Sequence, residues 1–462
     1  MLRFVFWTLW VLATVFPLIQ SAEACQVAAR LHYEKSAPEE RSGRAFELAA
    51  PWLETGQQMD MTPIDYQLRA AVPCAGGVAD GFPCSKVDLK AHLPLSAIGG
   101  GSGNDLWGWT DPLSGREYAL VGRSTGTSFV DVTDPESPVF LGDLPTHSVA
   151  SPWRDIKVYQ NHAFIVADFI DDHGLQVFDL TQLRQVDTPK TFSETAHLDA
   201  FNRAHNIVLN TESGFAYAVG SDECSGGLLM IDVRTPTQPT VAGCYSDDGY
   251  THDAQCVNYR GPDAEHQGKE ICFASNEDTL TLVDVSDKQN PVLISRTGYD
   301  GWGYTHQGWL TEDHSRFLLD DEGDENRNGH NTRTYVWDLK DLDAPNVESF
   351  YDSNFPAVDH NQYVKDVFVY QANYSIGLRI LEIDDAGGLE EVAFFDTHPE
   401  SDSTSGGAWS VFPYFDSGTV VIGDINRGLF VLEPRMDTPA TRVFEDDFEA
   451  GNTAAWSAGT GR

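Results

Sequence analysis

Residues 281–291, with the sequence TLVDVSDKQNP, decide the fold of this chain. They form a short apolar strand that ends in an acidic residue, Asp284, and continue through a turn to Pro291. In such a turn the Asp side chain can accept hydrogen bonds from backbone amides, and Pro fixes the entry into the next strand. We therefore interpret the acid as a turn-former and not as a catalyst.

The same phrase recurs along the chain, at 128–131, 176–179, 229–232, 281–284, 335–338, 379–382 and 430–433. The acids that end successive phrases are 48, 53, 52, 54, 44 and 51 residues apart. A period near 50 residues, built from short strands rich in β-branched and aromatic residues, is typical of propeller blades. A helical solenoid would need a period of about 3.6 residues within each unit, and these segments lack it.

The strands of the fourth unit are predicted at 254–259, 270–275, 280–285 and 292–297. The last unit ends after its third strand, near Glu433, and residues 87–95 resemble the outer strands of other units. We therefore predict an all-β fold, a single seven-bladed β-propeller with four-stranded blades, in which the N-terminal strand closes the last blade. Such closure leaves no open sheet edge.

The chain divides into four segments. Residues 1–24 read as a signal peptide, because Arg3 precedes an apolar run and Ala22 and Ala24 fit a cleavage site. Residues 25–86 are expected to form a partly helical N-terminal extension with a disulfide, 87–434 the propeller, and 435–462 an acidic flexible tail. Cleavage after Ala24 would make Cys25 the first residue, so lipid attachment there stays open as an alternative. No later segment has the 18 apolar residues of a transmembrane span.

The charge of the chain excludes two classes of partner. It has 30 Lys and Arg against 70 Asp and Glu, a formal net charge of −40. Nucleic acid and anionic membrane surfaces are bound through basic patches, and none appears. A solvated acidic surface accounts for the charge more simply than cation binding does.

Seven cysteines fit an oxidising compartment. Apart from Cys25 they fall into three local couples, for which pairing within each couple is the simplest connectivity, although sequence alone does not fix it: Cys74 with Cys84, Cys224 with Cys244, and Cys256 with Cys272. We expect a secreted monomer, extracellular or at the cell surface, with the periplasm as an alternative.

Several phrases carry a family resemblance. The repeat units resemble the LVIVD repeat, and residues 74–95, 249–256, 304–309 and 329–335 resemble the choice-of-anchor B family of bacterial exported proteins. The resemblance covers about residues 74–434 and implies an exported propeller carrying a C-terminal surface anchor. The tail departs from it, because it shows no sorting motif followed by an apolar span. The resemblance implies no particular activity.

Aligning the first residues of the inner strands gives one candidate per blade. These channel or ligand-binding candidates are Trp107, Arg154, His205, His252, His306, His360 and Trp409. Four histidines on consecutive blades predict an arc lining one side of the channel. Either they share a transition metal such as zinc, copper or iron, with Asn206, Asp253 and Asn361 orienting them, or they are structural and bond backbone and water. Arg154 holds an anionic group or pairs with a nearby acid such as Asp155.

Residues 324–329 match the first half of a calcium loop. Asp324, Asn326 and Asn328 would supply ligands. The twelfth position is Tyr335 and not the Glu that such loops use, so Asp320, Asp321 or Glu322 would supply the remaining oxygen ligands. The alternative is a solvated acidic loop.

Two functions from different classes fit these observations. The first is a non-catalytic, extracellular or cell-surface propeller that binds a protein, glycan or surface partner. The second is a metal-dependent enzyme, for example an oxidoreductase, that uses His205, His252, His306 and His360. The sequence favours the first.

Overall fold

The computed structural model describes residues 61–64, 70–402 and 406–436. Three strands precede the first blade: β1 (Val78–Ala79), β2 (Phe82–Ser85) and β3 (Val87–Leu93). Helical segments are short and lie between strands. Among the described residues they are three 3₁₀ helices, Leu95–Ile98, Leu180–Gln185 and Cys224–Gly226, and one α-helix, α1 (Asp324–Asn328).

Seven units of strands follow, and the strands of each blade pair antiparallel, whereas one short strand of the second unit adds in parallel to the outer edge of the first sheet. The first three units contain β4 (Gly103–Thr110), β5 (Glu117–Arg123), β6 (Gly126–Asp131) and β7 (Val139–Pro145); β8 (Arg154–Tyr159), β9 (His162–Ala167), β10 (Leu175–Asp179), β11 (Lys190–Thr191) and β12 (Ala196–Leu198); and β13 (Asn206–Asn210), β14 (Phe215–Val219), β15 (Leu228–Asp232) and β16 (Thr240–Tyr245). The next two contain β17 (Asp253–Asn258), β18 (Glu270–Ser275), β19 (Leu280–Asp284) and β20 (Val292–Thr297); and β21 (Thr305–Leu310), β22 (Arg316–Asp321), β23 (Arg333–Asp338) and β24 (Asn346–Asp352). The last two contain β25 (Asn361–Lys365), β26 (Phe368–Ala372), β27 (Leu378–Ile383) and β28 (Leu389–Phe395); and β29 (Ala408–Phe412), β30 (Val420–Asp424) and β31 (Gly428–Pro434).

The innermost strands of these sheets form a closed ring. Strands β4, β8, β13, β17, β21, β25 and β29 each contact the next, and β29 contacts β4 again. The predicted seven-bladed β-propeller with four-stranded blades is therefore confirmed. In the fourth blade the predicted strand bounds agree with β17 to β20 to within one residue at either end.

The N-terminal strand closes the ring as predicted. Strand β3 pairs antiparallel with β31, with Leu89 opposite Leu432 and Leu93 opposite Leu429, and it is the fourth strand of blade 7. Alternate residues of β3 face the core, and Leu89, one of them, is fully buried. The preceding strand β2 adds to the outer strand of blade 6, where Cys84 lies opposite Phe395. The N-terminal segment therefore ties the last two blades together.

The core lies between adjacent blades. Each apolar cluster combines side chains of neighbouring sheets, as where Phe164 and Val166 of blade 2 pack with Ala216 and Ile231 of blade 3. Fully burying such a side chain contributes roughly 1.5–3 kcal/mol. Stability is thus distributed around the ring. The acids of the repeated phrase form the turns, since Asp284 Oδ1 accepts from the Ser286 amide at 3.0 Å.

The six cysteines pair as the local couples predict. The Cα–Cα distances are 6.0 Å for Cys74–Cys84, 5.7 Å for Cys224–Cys244 and 4.0 Å for Cys256–Cys272. Cys25 lies outside the described residues. So do the signal peptide predicted at 1–24 and nearly all of the tail predicted at 435–462. The described parts of the extension, 61–64 and 70–86, contain β1 and β2 and no helix, and the rest of 25–86 lies outside the described residues. Within the described ranges, no helix combines the length and apolar character of a membrane span.

Candidate metal centre

The structure brings the four predicted histidines together. His205, His252, His306 and His360 lie at the start of the inner strands of blades 3 to 6. The ring centroids of successive histidines are 4.3, 4.2 and 4.6 Å apart. The arc expected from the alignment is therefore present at one end of the channel.

Two of these histidines are anchored by carboxylates. His205 Nδ1 lies 2.9 Å from Asp168 Oδ2, and His306 Nδ1 lies 2.7 Å from Asp320 Oδ1. Burial raises the pKa of Asp320. When Asp168 and Asp320 are ionised, as a cation bound nearby favours, they can only accept, so Nδ1 carries the proton and donates it. Nε2 of each ring is then a lone-pair donor suited to a metal.

The other two histidines are anchored by backbone carbonyls. His252 Nδ1 donates to the carbonyl of His306 at 2.9 Å, and His360 Nδ1 donates to that of Trp409 at 2.6 Å. Metal-ligating histidines almost always donate their second nitrogen to a carboxylate or carbonyl in this way. All four rings thus present Nε2 in the tautomer that a metal requires.

Burial keeps the central histidines neutral. It lowers the pKa of His360 to about 3, and it lowers the pKa of His252 and His306 well below the ordinary value, with neighbouring histidines adding to the effect. An uncharged imidazole is the form that binds a metal. No proton therefore has to be displaced near neutral pH.

Glu322 completes a ligand set with two of the histidines. One ligating atom from each of His306, Glu322 and His360 lies within 4.8 Å of the others. His306 Nε2 is 3.9 Å from Glu322 Oε2, and the hydroxyl of Tyr374 donates to Glu322 Oε1 at 2.6 Å. Because metal–ligand bonds to His and Glu are about 2.0–2.2 Å long, one ion fits between such atoms. Sequence reasoning considered Glu322 only as a reserve calcium ligand. Glu322 could have been recognised from the β21–β22 hairpin, because antiparallel pairing places the residue that follows β22 beside His306.

Polar side chains of the next channel level support the arc. The Asn206 side-chain amide donates to the carbonyl of His252 at 3.0 Å, and that of Asn361 donates to the carbonyl of Trp409 at 3.1 Å. Burial raises the pKa of Asp253 to about 7. The Asn206 amide thus holds the backbone of His252, and the Asn361 amide holds the carbonyl to which His360 donates.

The remaining channel candidates separate into two groups. Trp409 belongs to the arc, since its ring lies 4.8 Å from that of His360. Trp107 does not, because it packs against Tyr363 and Phe412 at 5.5 and 5.2 Å.

Arg154 is fully buried and contacts neither the histidines of the arc nor Asp155 in any bond seen among the described residues. Its Nη1 lies 3.0 Å from His173 Nε2, and its Nε donates to the Arg123 carbonyl at 3.2 Å. Burial lowers the pKa of Arg154 to about 9. Asp155 pairs instead with Lys157, 2.6 Å away.

The described N-terminal residues lie beside the rim of the arc. Met61 packs in one cluster with Tyr374 and Trp409, whose rings contact His360. The Ile64 amide donates to the carbonyl of Asn426 at 2.7 Å. This segment therefore covers part of the surface next to the arc.

The predicted calcium loop has another structure. Residues 324–328 form the short helix α1, in which Asp324 is buried whereas Asn326 and Asn328 are exposed. Asp320 lies on β22 and is held by His306. The structure therefore does not bring the four predicted calcium ligands together around one point.

The acidic residues of this region point inward instead. Asp320, Asp324, Glu325 and Asp359 are all at most 5% exposed. Burial, with the charge of Asp321 adding to it, raises the pKa of Asp324 to about 8. Burial and then the charges of Asp359 and Asp324 raise the pKa of Glu325. These carboxyl groups lie close enough to repel one another.

A second group of potential ligands lies between the loops of blades 4 and 5. His266 Nε2 is 3.0 Å from Asp343 Oδ2 and 4.0 Å from Asp263 Oδ2, and Lys269 Nζ lies 3.2 Å from His266 Nδ1. Because the ammonium donates to Nδ1, Nε2 carries the proton that bonds Asp343. Both ring nitrogens are thus used, and the group is explained as a hydrogen-bond network.

Comparison with known proteins agrees with the fold. A family model, the LVIVD repeat, matches residues 267–297, which span β18 to β20. No curated protein matches the chain. Together with the seven blades, the match supports an LVIVD-repeat β-propeller.

Many solved structures are similar to this chain, and three of them illustrate the likeness. A protein from Lactobacillus plantarum is 13% identical, with 65% of this chain and 85% of that chain covered and a TM-score of 0.47. The β-propeller domain of Cps50 (Swd1) from Myceliophteria thermophila is 12% identical, with 73% and 99% covered and a TM-score of 0.48. Hydrazine synthase from Kuenenia stuttgartiensis is 12% identical, with 69% and 93% covered and a TM-score of 0.49.

Proposed function

We propose that this protein is an exported β-propeller that holds one divalent transition-metal ion at the end of its channel, through His306, Glu322 and His360. The observation that carries the proposal is the convergence of their ligating atoms within 4.8 Å. The anchored Nδ1 atoms and the low pKa values of both histidines support it, because they leave neutral Nε2 donors aimed at one point.

The donor set limits the choice of metal. Two imidazoles and one carboxylate suit zinc, iron or copper, and such sites keep coordination positions open to another molecule. The ring of His252 lies 4.2 Å from that of His306, so it borders the site and is placed to contact a group bound there. A small ligand with an oxygen or nitrogen donor fits this arrangement.

We propose further that the ion serves binding, so that the propeller acts as an extracellular interaction module recognising a protein, glycan or small-molecule partner. A metal-dependent enzyme, for example an oxidoreductase, is the second candidate. The observation that favours it is the three-ligand set, which is the number that catalytic zinc sites use. Both candidates require the same ion, and they differ in whether the bound molecule is changed.

Export is proposed on two grounds. The three cysteine pairs at disulfide distance suit an oxidising compartment, and the N-terminal sequence reads as a signal peptide. The resemblance to the choice-of-anchor B family supports the same location, at the cell surface or outside the cell, with the periplasm as the alternative.

Metal content tests the site directly. Tag-free protein from the exported fraction should contain about one zinc, iron or copper ion per chain by mass spectrometry. The His306→Ala/His360→Ala double variant should lose it, and Glu322→Gln, which removes a direct ligand, should lower its affinity by at least the roughly 10- to 100-fold that loss of a ligand's hydrogen-bond partner costs. His162→Ala is the matched control, since His162 lies on β9 away from the arc. Full metal retention in the double variant, or no metal in the wild type after reconstitution, would refute the proposal.

Cobalt substitution then tests the open position. The absorption of Co²⁺ in the site should change on addition of imidazole or azide if a coordination position is free. An unchanged spectrum would show a closed, structural ion and would exclude both ligand binding at the metal and metal-dependent catalysis.

A further inference from the structure

Aromatic side chains meet in the channel beneath the histidine arc. Trp309 on β21 and Tyr363 on β25 follow His306 and His360 by three residues, and their rings lie 4.9 Å apart. Trp107 of blade 1 reaches the same layer, since its ring lies 5.5 Å from that of Tyr363 in blade 6. Blade 7 lies between these two blades in the ring, so the aromatic layer joins blades that are not neighbours.

Lys157 of blade 2 extends this layer. Its ammonium lies 4.6 Å from the centre of the Trp107 ring and 2.6 Å from Asp155 Oδ1. Separating a largely buried ion pair of this kind is strongly unfavourable, so the lysine stays in place. The layer therefore closes the channel beneath the arc, and a molecule that binds at the metal centre reaches it from the other end.

An apolar cluster spans that other end, next to the arc. It joins Trp153 of blade 2 with Tyr374 of blade 6 and with Trp409 and Ile425 of blade 7. Blades 2 and 6 are not neighbours in the ring, so the cluster bridges the channel end. Tyr374 connects it to the metal centre, because its ring lies 4.5 Å from that of His360.

Met61 belongs to the same cluster but comes from outside the blades. It is buried, whereas Thr62 and Pro63 beside it are exposed. The Thr62 carbonyl accepts from Asn426 Nδ2 at 3.0 Å, and the Ile64 amide donates to the Asn426 carbonyl at 2.7 Å. With one buried side chain in four residues, this segment has the few buried apolar contacts that are typical of parts that open locally.

We propose that residues 61–64 form a strap that gates the metal centre, with the Met61 side chain as its plug. The inference rests on the proposed metal site, whose ligand Glu322 accepts a hydrogen bond from the Tyr374 hydroxyl at 2.6 Å. An ion or a small ligand enters and leaves when the strap lifts from the cluster around Tyr374. Because Met61 is not one of the metal ligands, opening the strap changes the rates of binding and release together and leaves the equilibrium affinity the same.

The first test needs no metal. Diethyl pyrocarbonate modifies neutral imidazoles, and mass spectrometry of the full-length, metal-free protein gives the modification rate at each histidine. The histidines of the arc should react slowly in the wild type and roughly tenfold faster in Met61→Ala, because loss of a buried contact favours local opening. Met61→Leu refills the space and should restore the slow rate. Met436→Ala is the matched control, since Met436 packs against a different cluster, between blades 6 and 7, and should leave the rates unchanged.

The second test uses the cobalt-loaded protein. Met61→Ala should accelerate Co²⁺ binding and Co²⁺ release to a chelator by the same factor, roughly tenfold, with the Kd unchanged. A change in Kd without a change in the rates overturns the gate and would indicate a structural effect on the ligands.

Two results of the modification experiment also overturn the proposal. One is equal rates at the arc histidines in the wild type and Met61→Ala. The other is an equal acceleration at His92, which is fully buried on the outer strand of blade 7, because the variant would then have loosened the whole fold. A wild type that binds no metal but shows faster modification of the arc in Met61→Ala refutes the metal centre and supports the strap as a gate of the channel.

Discussion

Replacing Leu89 by alanine tests whether the N-terminal strand holds the ring closed. Leu89 lies on β3, opposite Leu432 of β31, and is fully buried in the cluster shared by blades 6 and 7. The variant loses about 0.8 kcal/mol per buried methylene, plus a further term for the cavity left in a close-packed interior. We expect the free energy of unfolding to fall by about 3 kcal/mol, within the range of 2–5 kcal/mol typical of buried Leu→Ala changes.

Lys90→Ala is the matched control on the same strand. The Lys90 ammonium lies 2.8 Å from Glu136 and 3.0 Å from Glu433, on the outward side of β3. Surface ion pairs contribute at most about 1 kcal/mol, so this change should cost far less than Leu89→Ala. Urea unfolding followed by tryptophan fluorescence measures both. Equal losses for the two variants, or a loss below about 1 kcal/mol for Leu89→Ala, would refute the closure of blade 7 by β3 as a source of stability.

Three further changes probe particular contacts. Arg184 holds Asp111 through two hydrogen bonds and lowers the pKa of that carboxyl to about 2, so this contribution to stability is present above about pH 4 and is lost as the pH falls toward 2. Arg184→Leu should lower the melting temperature slightly at pH 7, because solvent screens the pair, and should flatten the pH dependence of the melting temperature between about pH 4 and pH 2. Glu270→Ala should cost roughly 3–5 kcal/mol in urea unfolding, because it leaves the buried Lys288 ammonium, 2.7 Å away, without its carboxylate. Asp320→Ala should weaken transition-metal binding roughly 10- to 100-fold in a chelator competition, since it removes the acceptor that orients His306.

The blades could be predicted because their signals are local. A strand that ends in an acid and a proline turn specifies one hairpin, and its recurrence specifies the architecture. The addition of β2 to blade 6 and the parallel pairing of β11 with β7 were not predicted. Both depend on sheet edges that exist only after the blades have formed, so no local pattern in the sequence indicates them.

The histidine arc could be predicted because the repeat places equivalent residues at equivalent positions. Trp107 was aligned with the arc, and the structure places it elsewhere. Asp105 matches Asp155, because in both a carboxylate oxygen accepts from the next backbone amide, at 2.7 and 2.6 Å. Asn104 therefore takes the position in blade 1 that Arg154 takes in blade 2, three residues before Trp107. The first blade lacks the His that marks this position in blades 3 to 6, so its sequence alone did not fix the alignment.

The calcium motif was misleading because residue spacing does not show on which side of the chain each side chain lies. Spacing alone makes Asp324, Asn326 and Asn328 appear equivalent, but a helix separates alternate residues onto different faces. Helix α1 exposes both asparagines and buries Asp324 with Glu325. The motif therefore groups residues that the structure places on different sides of the helix.

His306, Asp320 and Glu322 form one electrostatic unit at the contact of blades 5 and 6. Burial raises the pKa of Asp320, and the neutral His306 beside it adds no positive charge. A cation held by His306, Glu322 and His360 would lower the cost of ionising both carboxylates, because opposite charge within a few ångströms favours the charged form. Removing the ion with a chelator should therefore lower the melting temperature of the wild type and leave that of the His306→Ala/His360→Ala variant unchanged.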